Sequence, residues 1–245
     1  MLIEFSAANF RSIKETQPLS LVAGAAKEFV RENTFEPGLP GFPRLLRSAV
    51  VYGANAAGKT NLPRALQFMQ SLILSSATSQ EGVRIPHAPF KLTKATSGQP
   101  SEFEVVFADE GVRYEYGFSA DAERFHKEWL IAYPHGRPQN WFERTYHAKT
   151  KEYEWQFSNK LKGSPRVWRD ATRGNALFLS TAIQLNSDQL RPVFQWFQKK
   201  LVMVFGNEIG EPQLNPSLTY QLFEQSEDKQ KLLQFVHAAD LGIDD

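Results

Sequence analysis

Residues 50–62, "VVYGANAAGKTNL", decide how this chain is read. Their core, Gly53-Ala54-Asn55-Ala56-Ala57-Gly58-Lys59-Thr60, has the spacing G-x-x-x-x-G-K-T. In such a loop small residues let successive backbone N–H groups converge on a phosphate, and the start of the following helix adds partial positive charge. The interior is small throughout, so no side chain holds a phosphate away from the backbone. The spacing gives Lys59 the β- and γ-phosphates as a point charge, gives Thr60 a hydroxyl for Mg²⁺, and puts Asn61 on the next turn.

The flanks satisfy the context that this loop requires. "RSAVVYG" before it reads as a compact β-branched strand. After it, Leu62, Leu66, Met69, Ile73 and Leu74 recur at helical spacing and predict a helix of about four turns. Pro63 lies near enough to the helix start for its missing N–H to be tolerated.

Further out, "MLIEFSAANF" and "QPLSLVA" predict two short strands pairing as an edge ribbon. Glycines and prolines cluster from Ala23 to Pro43 ("EPGLPGFP"), which reads as a long loop. From Ser101 to Phe157 the segments "EFEVVFA", "VRYEYGFS", "RFHKEWLIAY", "NWFERTY" and "EYEWQF", separated by turn sequences, predict an antiparallel meander. Beyond Ser158 the pattern is helical in "NALFLSTAIQL" and "QLRPVFQWFQKKL". It is interrupted by a strand-like run, "LVMVF" at 201–205, and continues as two helices in "LTYQLFEQSEDKQKLLQFVHAADLG" with Gly242 as a stop. The expected fold class is α/β: a P-loop lobe at 1–157, with a mixed sheet and an antiparallel β-subdomain, then a helical section or arm at 158–245.

Composition narrows the partners. In 245 residues the net charge is +1, which gives no basic field for nucleic acid, and there is no cysteine, which excludes disulfides and thiolate chemistry. No stretch approaches the ~20 apolar residues of a membrane span, and no secretory leader is legible, so a cytoplasmic protein is expected.

"MLIEFSAANFRSIKETQPLSL" followed by "GANAAGKTNL" resembles the N-terminal lobe of the ABC-like ATPases related to SMC and RecF proteins. There an Asn-Phe-Arg-Ser type turn precedes a G-x-N-x-x-G-K-[ST]-N loop; Asn9-Phe10-Arg11-Ser12 and Asn55 match. "PFKL", "SEFEVVF", "VRYEYGFS", "KEWL" and "FER", in this order, resemble the AAA-type ATPases of bacterial abortive-infection and antiphage systems. The resemblance implies ATP with Mg²⁺ at Gly53 to Asn61, Lys59 as the catalytic cation, and Arg11 and Ser12 near the nucleotide. An exposed Arg11 in a plain hairpin turn is the equal alternative. It also implies a second ATPase subunit as partner and an effector such as a nuclease or toxin.

ABC-like hydrolysis needs a Leu-Ser-Gly-Gly kind of signature and a hydrophobic strand ending in Asp-Glu. "FLSTAIQ" at 178–184 and "LVMVFGNE" at 201–208 imitate that order without the glycines, and Asn207 stands where the metal-binding Asp belongs. The simpler expectation is that the chain is an N-terminal portion, with those elements and several sheet strands downstream of "HAADLGIDD". A nucleotide-dependent scaffold or sensor without turnover, and a RecF-like DNA-repair ATPase, remain as alternatives.

The histidines at 87, 126, 135, 147 and 237 show no metal-ligand spacing. The interleaved Trp141, Arg144, Tyr146, Tyr153 and Trp155 admit stacking on single-stranded nucleic acid, but alternation at period two favours packing.

Overall fold

The computed structural model describes residues 1–26 and 28–205. The chain divides into two compact units, Met1–Leu201 and Val202–Asp245. The expected C-terminal helices, Asn207, Gly242 and His237 lie outside the described residues.

The first unit is built on one seven-stranded antiparallel sheet. β1 (Leu2–Ala8) pairs with β2 (Gln17–Ser20), as the ribbon reading expected. β1 also pairs with the first strand of the meander, β5 (Ser101–Asp109), and β6 (Val112–Ala120), β7 (Phe125–Tyr133), β8 (Gln139–His147) and β9 (Glu152–Phe157) follow, giving the order β2-β1-β5-β6-β7-β8-β9. In the Gly/Pro-rich stretch, a helical turn α1 (Val30–Asn33) precedes β3 (Thr34–Phe35), which pairs with β4 (Leu45–Leu46) in a second small sheet. The fold is thus the expected α/β class, with a large antiparallel sheet, a small second sheet and several helices.

One face of the large sheet is aromatic and lies under helices. Phe103, Phe107, Tyr116, Phe118 and Phe142 are fully buried there. Phe107 stacks on Trp196 at 4.1 Å between ring centroids, and Phe142 meets Phe178 at 4.6 Å. It is covered by α2 (Asn61–Ser75), which runs into a 3₁₀ turn at Ser76–Thr78, by α5 (Phe178–Gln184) and by a π-helical turn at Trp196–Lys200, while α4 (Pro165–Ala171) and α6 (Arg191–Gln195) pack against α5. A further helical turn, α3 (Lys94–Ser97), precedes β5. α2 buries Ala65, Leu66, Met69, Leu72 and Ile73, so Leu72 rather than the expected Leu74 completes its inner stripe. The opposite face is divided: Lys127 pairs with Glu143 there at 3.1 Å, whereas Val106 and Ala108 of β5 pack in a hydrophobic cluster with Phe35 and Leu45 of the small sheet.

Two expected strands are absent from this structure. Ser48–Tyr52 is not in a strand, and Val50 and Tyr52 are 82% and 89% exposed. Its β-branched residues have the propensity, but a strand needs a neighbour, and among the described residues none lies beside it. Leu201–Phe205 likewise has no regular structure, and Val202 and Val204 are exposed.

A buried ion pair fixes α5 to the sheet. Glu128 on β7 and Arg144 on β8 meet at 3.0 Å with both side chains inaccessible to solvent. The Glu128 carboxylate also accepts the Phe178 and Leu179 N–H groups at 2.7 and 3.0 Å and the Tyr116 hydroxyl at 3.0 Å. It therefore satisfies two of the free donors that open α5.

Candidate functional site

The phosphate loop runs from Gly53 to Thr60, between the unpaired Ser48–Tyr52 stretch and α2. Ala56 (φ 63°) and Gly58 (φ 87°) take left-handed backbone conformations, and the Asn61 N–H donates to the Gly58 carbonyl at 2.9 Å. Gly58 has a second reason to lack a side chain: a Cβ there would lie 2.6 Å from Ser12 Oγ. Lys59 Nζ folds back over the loop and donates to the carbonyls of Gly53 and Ala54, both at 2.8 Å. Its ammonium is thus held above the loop's own backbone. Thr60, at the start of α2, makes no side-chain capping bond, which leaves its hydroxyl uncommitted.

The Asn-Phe-Arg-Ser turn is brought against this loop. β1 ends at Ala8, and Asn9 (φ 51°) and Arg11 (φ 50°) reverse the chain, with Phe10 and Ile13 exchanging backbone hydrogen bonds at 2.8 Å. Phe10 is buried between Phe68 of α2 and Phe103 of β5, with ring centroids 5.3 and 5.4 Å away. Ser12 Oγ accepts a hydrogen bond from Asn61 Nδ2 at 2.6 Å, so Ser12 and Asn61 meet across 49 residues of sequence. Arg11 is placed differently. It is exposed, its N–H donates to the Ala88 carbonyl at 2.7 Å, and its guanidinium sits 5.7 Å from the Phe10 ring centroid.

Between turn and loop lies a cavity of about 440 Å³, walled by Ser12, Glu15 and Gln17 on one side and Tyr52, Gly58 and Lys59 on the other. Of the expected nucleotide-binding residues, Ser12, Ala57, Gly58 and Lys59 line it, whereas Arg11, Gly53, Ala54, Asn55, Ala56, Thr60 and Asn61 do not. Lys14, Glu15, Gln17 and Tyr52 belong to no motif, so no sequence signal marked them. The β1–β2 connection carries Lys14 and Glu15 to the loop, and Gln17 opens β2.

The remaining candidates resolve into structural roles. "FLSTAIQ" is α5, buried from Phe178 to Ala182, and the Ser180 hydroxyl donates to the Ile73 carbonyl at 2.6 Å. Only its end, Ile183 and Gln184, reaches the surface. Arg144 is enclosed by the rings of Phe125, Tyr153 and Trp155, each centroid 5.3–5.6 Å from the guanidinium carbon, so the interleaved aromatics pack. His126 pairs with Asp121 at 2.6 Å and His147 with Glu154 at 2.9 Å. Burial opposes ionisation of Asp121, but the His126 hydrogen bond and the N–H groups of Glu123 and Arg124 hold its carboxyl below the usual range. Among the described residues no three His, Asp or Glu side chains are grouped as a metal site, and no helix is long and apolar enough to cross a membrane.

Residues 48–190 match a protein family described as "AAA domain, putative AbiEii toxin, Type IV TA system". No curated protein matches the chain.

Proposed function

The chain belongs to this family of AAA domains of type IV toxin–antitoxin systems, and on that premise we propose that Gly53 to Asn61 bind ATP with Mg²⁺. The observation that carries the reading is Lys59 Nζ poised over the Gly53 and Ala54 carbonyls, beside a glycine that Ser12 crowds. The backbone of Gly53, Ala54, Asn55, Ala56, Ala57 and Gly58 cradles the phosphates. Lys59 exchanges its two carbonyl partners for phosphate oxygens, and the free Thr60 hydroxyl is the protein's ligand for Mg²⁺. Bound ATP with Mg²⁺ supplies the phosphoanhydride whose cleavage an ATPase of this kind uses. Ser12 braces the loop, and Arg11, facing outward at its rim, is free to meet a partner.

The finer assignment is an ABC-like lobe related to SMC and RecF proteins, working in the cytoplasm with a second ATPase subunit and an effector such as a nuclease or toxin. One observation supports it: the Asn-Phe-Arg-Ser turn touches the phosphate loop, through Ser12 against Gly58 and Asn61. In this reading 1–157 is the nucleotide lobe with its β-subdomain and 158–245 the helical section. The core position of "FLSTAIQ" favours a second reading, a nucleotide-dependent scaffold or sensor without turnover by these residues.

Calorimetric titration of MgATP into the chain and its Lys59→Ala variant tests the site. Binding that weakens at least about tenfold in the variant supports it, as loss of a charge-assisted contact predicts. Equal affinity in both removes the nucleotide site.

A further inference from the structure

We propose that Asn9 is the positioning residue of the phosphate loop, setting nucleotide affinity through Ser12 without touching the nucleotide. The inference rests on the nucleotide reading of Gly53 to Asn61 and deepens it.

Asn9 is 6% exposed and sits at the first left-handed residue after β1. Its Nδ2 faces the carbonyls of Thr96, Gln99 and Pro100 at 2.9, 2.8 and 3.3 Å, and its Oδ1 accepts the Phe90 N–H at 3.0 Å. The Ser101 hydroxyl donates to its main-chain carbonyl. One side chain therefore gathers both ends of the 90–100 segment onto the turn. Asparagine suits the position because it tolerates φ > 0 and carries donors and an acceptor on one short stem.

Three residues on, Ser12 occupies the space above Gly58 and holds Asn61 at the first turn of α2. The turn is also tied on its other side, where the Arg11 N–H meets the Ala88 carbonyl at 2.7 Å. The chain from the phosphate loop through α2 and the 79–90 segment thus returns to the turn that braces the loop. Releasing Asn9 frees the 90–100 segment, and the turn then no longer holds Ser12 against Gly58.

The decisive variant is Asn9→Asp, which keeps the shape, the φ preference and the acceptor for Phe90 but turns the donor toward three carbonyls into a carboxylate oxygen. MgATP titration of the full chain should show affinity lowered about tenfold, the scale of a lost buried hydrogen bond. If Asn9 acts through Ser12, adding Ser12→Ala to Asn9→Asp lowers affinity less than about twofold further, although Ser12→Ala alone weakens binding. Thr34→Val, in the small β3–β4 sheet, serves as the stability control: its melting temperature falls while its MgATP affinity stays that of the parent. Parent-like affinity in Asn9→Asp, or fully additive losses in the double variant, overturns the proposal while leaving the Lys59 result and the nucleotide site intact. A parent chain that does not bind MgATP overturns both. If Asn9→Asp does not fold, Ser101→Ala decides in its place, with a loss of about threefold expected and none overturning the inference.

Discussion

Glu128 and Arg144 face each other at 3.0 Å on adjacent strands, and neither side chain reaches solvent. The pair is also the hinge pin of α5, because the same carboxylate holds the Phe178 and Leu179 N–H groups. Arg144→Met should therefore leave an uncompensated buried charge and cost about 3–5 kcal/mol. Urea unfolding followed by tryptophan fluorescence measures this; a loss under about 1 kcal/mol would show that the pair is dispensable. Arg144→Lys should not restore stability, since a point charge cannot serve both Glu128 and the Ala176 carbonyl, which Arg144 Nη2 reaches at 2.6 Å.

Gly58 carries two independent demands, a φ of 87° and the absence of a Cβ under Ser12 Oγ. Gly58→Ala should cost about 1–3 kcal/mol of stability and weaken MgATP binding at least about tenfold. In a Ser12→Ala background the steric share disappears and the backbone share stays. Recovery of about half the stability loss is the expected result, and recovery of none would mean that Ser12 does not crowd the loop. Calorimetric melting reads this directly.

His87 lies on the segment that joins the phosphate-loop turn to the β6–β7 turn, and its Nε2 is buried without a hydrogen-bond partner. Burial lowers its pKa below 6.5, with Asp121 pulling the other way and His126 adding to the depression. A lowered folded-state pKa means that the unfolded chain takes up the proton first. Stability is therefore full above about pH 6.5 and falls as pH drops from there through the folded-state value. His87→Gln cannot protonate, so its melting temperature should fall less between pH 6.5 and 5 than that of the parent. Parallel curves would show that His87 does not carry this dependence.

Much of this fold was legible because local signals agreed with tertiary demand. The meander from Ser101 to Phe157 announced itself by alternation and by turn sequences at each break, and β5 to β9 fall on the expected segments. α2 followed from its apolar spacing. Ser48–Tyr52 misled because propensity measures what a residue suits, not whether a neighbour is present. Glu128 was hidden for a different reason. β7 has a register shift, with Phe125 opposite Ala120 but Lys127 opposite Ser119, so the extra residue turns Glu128 inward where simple alternation from Phe125 would face it out. The contact of Ser12 with Asn61 was reachable only through the family resemblance, since no spacing rule links residues 49 apart. The four bonds of Asn9 had no sequence signature at all.

Val50, Val51 and Tyr52 also have a practical consequence at the bench. An unpaired, water-facing run of β-branched and aromatic residues is adhesive, prone to pair with the same run on another molecule. Because it leads directly into Gly53, such sticking would shade the mouth of the loop. Concentration therefore becomes a variable in every titration of this chain, and dilute samples give the cleaner reading of what the loop binds.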